Sequence, residues 1–322
     1  MKQKSSARGS AARRARSKPL RRIPSAASVT LALLVALATT AHAAPRRALF
    51  DNAHGEQAGN ADWVIDDQQP TPRPSESLID RRTDGQFWTG GISTWGVELV
   101  KQGFSVRTND RAITFGVRGN PLDLSNFDVF IVPEPNRPFT SAEARAVLDY
   151  VRSGGGLVAV GDHDRSDRDR DGQDSPRIWN ALDPQRVLGV RWGSVGDADA
   201  NITQVSRNIA EPADARCVRG PAGTVTALEF HNGTTFTLDA KANPSVRGEV
   251  WMSGVRRGTP TRVMAASSMY GQGRVAFIGD SSVIDDGSAT PDNRNIYPGW
   301  TEAGGSNGRF ALNATLWAAR RR

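Results

Sequence analysis

Residues 127–161, with the sequence FDVFIVPEPNRPFTSAEARAVLDYVRSGGGLVAVG, decide the fold. The apolar run at 127–133 predicts a buried strand, and residues 157–161 predict another. Between them, Thr140 and Glu143 have the spacing of a capping box, which predicts a helix over 142–152. The glycines at 154–156 end that helix. A strand, a helix and a second strand in this order are typical of a parallel sheet.

The flanking sequence continues this alternation. Residues 47–51 and 104–108 predict two more strands with a helix over 92–102 between them, and 262–267 and 273–279 predict a closing hairpin. A final helix is predicted over 307–319. From about 194 to 260, Thr, Val, Gly and single aromatic residues alternate, which predicts antiparallel strands inserted into or appended to the sheet. We therefore expect an α/β three-layer sandwich with a mainly parallel sheet and a β-rich elaboration.

The N-terminal segment has a different composition from the rest of the chain. Residues 1–43 hold nine Lys or Arg and no Asp or Glu. They end in an apolar run at 28–40 and the small-residue site Ala41-His42-Ala43, which predict a signal peptide; an uncleaved membrane anchor is the alternative. We expect an exported protein, periplasmic or extracellular, with no transmembrane segment after cleavage and one domain over 44–322.

The net charge of +7 belongs to that N-terminal segment. Residues 44–322 contain 32 Lys or Arg against 34 Asp or Glu, so the mature chain is nearly neutral. This balance removes the electrostatic case for general nucleic-acid binding and favours a small-molecule or polymeric extracellular substrate. The single cysteine, Cys217, excludes an intrachain disulfide and does not lie on a strand-turn-helix elbow, so a catalytic thiol is not predicted.

Polar residues follow four of the predicted strands. In open parallel sheets, sites form outside the carboxyl ends of the strands. The residues at these ends are Asp51 and His54, Glu134 and Asn136, Asp162 and His163, and Asp280, Ser281 and Asp285. Asp, Asn and Gly also favour strand-to-helix loops for conformational reasons, so one cluster is weak evidence. Four clusters together indicate a site at this edge.

The segment 162–174 packs six Asp, one His and three Arg into thirteen residues. Such a density of carboxylates needs a cation or arginines to neutralise it. The predicted ligands in this loop are Asp167, Asp169, Asp171 and Asp174. Their alternation and the turn glycine Gly172 resemble a calcium loop, but Ile178 stands where an EF-hand requires a bidentate carboxylate. We expect a divalent cation, calcium or a transition metal; the alternative is local pairing with Arg165, Arg168 and Arg170.

Other common catalytic motifs are missing from the chain. It contains neither GxGxxG nor GxxxxGK[ST], so the usual dinucleotide and P-loop motifs are excluded. Ser281 and Ser282 follow a predicted strand, but Val283 replaces the second glycine of Gly-x-Ser-x-Gly. A serine hydrolase is therefore an alternative without a supporting motif.

The motifs, taken in order, resemble a family. Residues 49–65, Val132-Pro-Glu-Pro-Asn136, Asp162-His163 and Gly279-Asp-Ser-Ser282 resemble secreted bacterial proteins with a class I glutamine-amidotransferase-like domain, over about 46–319. The resemblance implies a flavodoxin-like sandwich, related in architecture to domains of gliding-motility and intraflagellar-transport proteins. Amidotransferases carry a catalytic cysteine after the strand at 157–161, where this chain has Asp162-His163. The resemblance therefore implies the fold without the thiol chemistry.

These observations lead to two expected functions. The first is a secreted metal-dependent hydrolase, acting on a phosphoester or a polysaccharide. Its predicted ligands are Asp51, Asp162 and His163, its general base is Glu134 or His54, and Arg168 holds an anionic substrate. The second is a noncatalytic binding or scaffold domain of the cell envelope, whose Asp-rich loop is ordered by calcium.

Overall fold

The computed structural model describes residues 45–193, 196–288 and 297–319, and the predicted signal peptide over 1–43 lies outside them. Within these ranges, no helix combines the length and the apolar character needed to cross a bilayer.

The described residues form fourteen strands, and ten of them make up a central sheet. The strands in chain order are β1 Arg46–Asp51, β2 Phe104–Asn109, β3 Val129–Pro133, β4 Gly156–Val160, β5 Val190–Trp192, β6 Ile202–Ser206, β7 Asn208–Ile209, β8 Arg219–Gly220, β9 Gly223–Thr224, β10 Leu228–Gly233, β11 Phe236–Leu238, β12 Arg247–Trp251, β13 Val263–Tyr270 and β14 Gly273–Ile278. Neighbours β2, β1, β3, β4 and β14 are parallel, in that spatial order. Strands β13, β11 and β5 extend the sheet in antiparallel fashion.

The β-rich region attaches to this sheet at β13. Strand β12 pairs with β13 and also with β7, while β6 pairs with β10 and β8 with β9 in two separate two-stranded sheets. The prediction of a mainly parallel sheet with added antiparallel strands is therefore confirmed. The predicted hairpin is the β13–β14 pair.

Helices cover both faces of the sheet. They are α1 Ser93–Lys101, α2 Ser141–Arg152, α3 Ser175–Leu182 and α4 Asn307–Ala318. Side chains alternate along β3, so that Val129 and Ile131 join an apolar cluster with α1 and α4, while Phe130 and Val132 join a second cluster with α2 and α3. This alternation places the two clusters on opposite faces, with the parallel strands buried between them.

The capping box at the start of α2 is confirmed. Thr140 Oγ1 accepts from the Glu143 backbone N–H at 3.3 Å, and Glu143 Oε2 accepts from the Thr140 backbone N–H at 2.9 Å.

The sequence pattern does not predict α3, because the aspartates that precede it are interpreted as metal ligands. Asp174, expected to be a metal ligand, instead caps this helix: its Oδ1 accepts from the Arg177 backbone N–H at 3.0 Å. That role as a cap replaces the predicted role as a ligand.

Candidate functional site

A polar cleft opens at the carboxyl ends of β4 and β14. These strands are parallel neighbours, so the residues that follow them meet at one edge. The cleft encloses about 80 Å³, and its lining includes Asp162, His163, Arg168, His231, Asp280 and Ser281. The structure thus brings together the residues that the sequence placed after the fourth and last predicted strands.

Arg168 neutralises two buried carboxylates behind this cleft. Its Nε donates to Glu134 Oε1 at 2.6 Å, and its Nη2 donates to Glu134 Oε2 at 3.0 Å and to Asp162 Oδ2 at 2.7 Å. Its Nη1 donates to Asn60 Oδ1 at 2.9 Å. Four of the five guanidinium N–H groups are therefore committed to the protein. Arg168 is an internal counter-ion rather than the predicted substrate-binding group.

Glu134 lies at a strained turn directly after β3. Its φ of 49° is in the left-handed region that residues other than glycine rarely adopt. Both carboxylate oxygens are occupied, because Trp63 Nε1 also donates to Oε2 at 2.6 Å, and the residue has no exposed surface. Burial raises the pKa of Glu134 to about 7, against the opposing effect of Arg168. The predicted role as general base is wrong, since this carboxylate does not reach solvent.

Three protein donors bind the Asp162 carboxylate. Its Oδ2 accepts from Arg168 and from Ser281 Oγ, the latter at 2.8 Å, and its Oδ1 accepts from the His163 backbone N–H at 2.7 Å. One acceptor position of Oδ1 remains, so metal ligation by Asp162 stays a prediction. Ser281 donates to a carboxylate, and among the described residues no imidazole nitrogen lies within hydrogen-bond distance of its hydroxyl. This geometry does not favour the serine hydrolase.

The half-buried His163 presents a basic nitrogen at the cleft. Its Nδ1 lies 2.6 Å from the backbone oxygen of Asp164. A carbonyl oxygen can only accept, so Nδ1 carries a proton, and in the neutral form of the ring the lone pair is on Nε2. The residue lines the cleft, as the sequence predicts. The neutral ring can accept a proton from water or bind a metal ion through Nε2.

Asp51 and His54 form a buried pair away from the cleft. His54 Nδ1 lies 2.6 Å from Asp51 Oδ2, its Nε2 lies 3.6 Å from Glu143 Oε1, and the Phe139 ring stacks on the imidazole at 3.9 Å. Burial lowers the pKa of His54, but Asp51 and Glu143 outweigh it, so the net shift is upward. Burial and the neighbouring Asp51 raise the pKa of Glu56. Neither residue lines the cleft, so the predicted single site that joins Asp51 and His54 to Asp162 and His163 does not form. Asp51, as a ligand, stays a prediction, because its carboxylate, His54 and Glu56 offer ligand-type atoms within 4.8 Å of one another.

Asn136 connects the cleft to that buried pair. Its side-chain N–H groups donate to Glu134 O at 2.9 Å and Gly55 O at 3.2 Å, and its Oδ1 accepts from the Arg168 backbone N–H at 3.3 Å. Three loops are thereby held together by one buried amide. Asn136, predicted at the edge of the site, is a positioning residue.

Three aspartates of the Asp-rich loop come together. Ligand-type atoms of Asp167, Asp169 and Asp171 lie within 4.8 Å of one another. The loop also uses these carboxylates internally, since Asp167 accepts from the backbone N–H groups of Asp171 and Gly172, both at 2.9 Å.

The predicted local pairing of the loop arginines with the aspartates of 162–174 is found for Arg168, which binds Asp162, but not for Arg165 or Arg170 among the described residues. Arg168 pairs with Glu134 and Asp162, as described above. Asp169 pairs instead with Arg137, whose Nε lies 3.4 Å from Oδ2.

His231 lines the cleft, with Glu229 and Glu302 beside it, and none of these three residues was predicted. His231 Nε2 lies 2.7 Å from both oxygens of Glu302 and 3.9 Å from Glu229 Oε1, and Tyr297 stacks on the ring at 4.9 Å. Burial and Glu302 raise the pKa of Glu229, and Glu229 Oε2 is buried without a hydrogen-bond partner among the described residues. The only sequence signal is the i, i+2 spacing of Glu229 and His231 on one face of β10.

Asp280 and Asp285 hold the loops that carry this cluster. Asp280 Oδ2 accepts from the His231 backbone N–H at 2.6 Å, and Asp285 Oδ2 accepts from the Tyr297 backbone N–H at 2.9 Å. Both residues were predicted at the edge of the site. Burial raises the pKa of Asp280 to about 6 and that of Asp285 to about 7.

Stability should fall as the pH rises across this region of raised pKa values. Glu134, Asp280 and Asp285 bind protons more tightly in the folded state than in the unfolded chain, where their pKa values are about 4. The stabilisation of the folded state by this tighter proton binding is therefore complete below about pH 4, and it is lost as the pH rises towards about 7. His54, whose pKa is also raised, shifts stability in the same direction.

We expect, in the presence of a chelator, a higher melting temperature near about pH 5 than near about pH 8. Asp280→Asn should make the difference smaller. A melting temperature that is constant or increases over this range would contradict the assignment of these pKa shifts.

Several solved structures of low sequence identity are similar to this chain. No curated protein matches this sequence. The chain is similar in structure to the mmIFT52 N-terminal domain, with 15% identity and a TM-score of 0.49, covering 84% of this chain and 96% of that one. It is also similar to a putative thua-like protein from Parabacteroides merdae, with 14% identity and a TM-score of 0.45, covering 85% and 90%. For the cytoplasmic protein STM1381 from Salmonella typhimurium, the identity is 11% and the TM-score 0.45, covering 86% and 100%.

One protein family matches the sequence directly. The family described as Domain of unknown function (DUF4350) matches residues 89–294, which is more than half of the chain. The protein therefore belongs to the DUF4350 family.

Proposed function

We propose that the protein is a metal-dependent hydrolase whose reaction takes place in the cleft after β4 and β14. The observation that carries this proposal is the meeting of Glu229 and Glu302 with His231, which lines the cleft together with His163. Two carboxylates and an imidazole are a typical ligand set for zinc, manganese or iron. The proposed ligands therefore differ from those that the sequence predicted.

The chemistry of this cluster fits a cation. Two glutamates lie beside one histidine, and Glu229 Oε2 has no donor among the described residues. A buried oxygen without a partner is costly, and a divalent ion would satisfy it. Oxygen-binding calcium does not need an imidazole, so the set favours a transition metal.

The residues of the cleft have distinct roles in this proposal. A divalent ion held by Glu229, His231 and Glu302 would polarise the substrate and lower the pKa of water. His163 Nε2 accepts the proton of the attacking water, and the Asp164 carbonyl orients the ring for this task. Asp280 holds the backbone of His231, while Arg168 compensates the charge of Asp162 behind the cleft.

We also propose that the fold is a flavodoxin-like, class I glutamine-amidotransferase-like sandwich that lacks the thiol reaction. The spatial order of the parallel strands supports this, because it reads 2-1-3-4-5 when they are numbered along the chain. Asp162-His163 follows β4, and Cys217 is fully buried with a raised thiol pKa. Export to the periplasm or the medium is proposed from the composition of residues 1–43.

Metal content tests the proposed function. We expect the purified exported protein to contain a stoichiometric transition metal by plasma mass spectrometry, and to lose it on chelation and in His231→Ala and Glu302→Gln. Glu211→Gln, at an exposed glutamate outside the cleft, is the matched control. Hydrolysis of a panel of phosphoesters and glycosides should stop on chelation and return with the metal. Metal retained in both cleft variants, or hydrolysis that ignores chelation, would refute the assignment.

A second candidate function rests on the gathering of Asp167, Asp169 and Asp171. Three oxygen ligands in one loop suit calcium, and the protein would then be a noncatalytic binding or scaffold domain of the cell envelope. In that case calcium alone should raise the melting temperature. Asp169→Asn should abolish the rise, and His231→Ala should leave it intact.

A further inference from the structure

We infer that a groove beside the cleft binds an anionic group of the substrate. The groove has a volume of about 540 Å³ and is lined by Asn60, Arg165, Ser166 and Arg170, and also by His163 and Arg168, which it shares with the cleft. The inference rests on the proposed function, because it assigns a substrate class to the same site.

Two arginines in the groove do not pair with other described residues through their side chains. Arg165 and Arg170 are exposed, and within the described ranges neither guanidinium has a hydrogen-bond or ion-pair partner. Nearby Arg137 and Arg168 are paired with Asp169 and with Glu134, respectively. The guanidinium groups of Arg165 and Arg170 are therefore available for bidentate binding of an oxyanion.

The backbone of both residues is strained. Arg165 has a φ of 64° and Arg170 a φ of 63°, in the left-handed region that glycine favours. Glycine would remove this strain, yet the chain has arginine at both positions. Such outliers concentrate at binding sites, where the surrounding structure maintains them.

A buried hydroxyl in the groove independently indicates a ligand. Ser166 is 5% exposed, lines the groove, and its Oγ has no partner among the described residues. A serine hydroxyl can donate to an oxyanion, which would satisfy this atom. Asp167 is also in the lining, and its two oxygens accept from the backbone N–H groups of Asp171 and Gly172. Its single negative charge is opposed by the two positive charges of Arg165 and Arg170.

The substrate class follows from this chemistry. A phosphoester and an acidic polysaccharide both present oxyanions that two arginines and a hydroxyl can bind, whereas a neutral sugar offers none. The groove joins the cleft at His163, so the oxyanion binds next to the reacting bond.

Binding of inorganic phosphate and of polygalacturonate by the chelator-treated exported protein tests the inference, with neutral dextran as a control. Calorimetry should show binding of at least one of the two anions, and the anion that binds identifies the substrate source. Arg165→Gln combined with Arg170→Gln should weaken binding about tenfold or more, and Ser166→Ala should weaken it less. Arg145→Gln, at an exposed arginine on α2, should bind as wild type.

Two results would overturn the inference: no binding of either anion by the wild type, or unchanged affinity in the double variant with its fold intact by circular dichroism. Glu302→Gln separates this outcome from failure of the proposed function. We expect that variant to lose the metal and to retain anion binding, because Glu302 does not line the groove.

Discussion

Replacement of Arg168 by alanine is expected to lower the free energy of unfolding by about 3–5 kcal/mol at neutral pH. The guanidinium is the counter-ion of two carboxylates, and Glu134 is 0% and Asp162 3% exposed. Without it, the two buried carboxyls must either stay charged without a counter-ion among the described residues or take up protons, and both cost free energy at neutral pH. Urea denaturation near about pH 7.5 measures the loss. Arg168→Lys should recover only part of it, because an ammonium group cannot reproduce the bidentate contact.

The pH dependence of this loss distinguishes charge from packing. Burial raises the pKa of Glu134 to about 7 and also raises that of Asp162, so both carboxyls accept protons readily once the arginine is absent. The deficit of Arg168→Ala should therefore shrink near about pH 5, and Glu134→Gln should rescue part of it near about pH 7.5. Arg145→Ala, on the exposed face of α2, should change stability by no more than about 0.5 kcal/mol. A deficit below about 1 kcal/mol, or one that does not depend on pH, would contradict the role as counter-ion.

Replacement of His163 by glutamine is expected to lower kcat/KM about 10²- to 10⁴-fold on any substrate that the wild type hydrolyses. The ring is the group in the cleft whose tautomer leaves a basic nitrogen available, because Asp164 O fixes the proton on Nδ1. The melting temperature should change little, since the side chain is only half-buried.

Asp164→Ala is the matched control for this prediction. It keeps the backbone oxygen that orients the imidazole and removes only the neighbouring carboxylate, so the activity should remain close to that of the wild type. Equal activity of His163→Gln and the wild type would show that the proton is taken by another group. A similar loss in Asp164→Ala would show that the local carboxylate matters more than the ring.

The sequence predicts the part of the site that follows from strand ends. Asp162, His163 and Ser281 lie within three residues of the ends of β4 and β14, and parallel neighbours bring such residues to one edge. The same reasoning placed Asp51 and His54 in the cleft, although their loop folds inward and buries them under Phe139. The position of a residue after a strand predicts the edge but does not predict whether a side chain points to solvent.

The rest of the site depends on contacts that sequence spacing does not encode. Glu302 lies 71 residues after His231, in a loop before α4, and β10 pairs outside the central sheet. The sequence places Arg168 in an Asp-rich loop, but one of its ion-pair partners, Glu134, lies 34 residues earlier. Asp174 has the composition of a ligand but the position of a helix cap. In each case tertiary packing selects the partner from several carboxylates of the same type.

An anomalous difference map from crystals of the protein grown with manganese tests the central claim most directly. The account predicts a peak bounded by Glu229, His231 and Glu302 at the cleft, and its loss in His231→Ala crystals. A peak confined to the loop of Asp167, Asp169 and Asp171, or no peak at the cleft under saturating manganese, would contradict it.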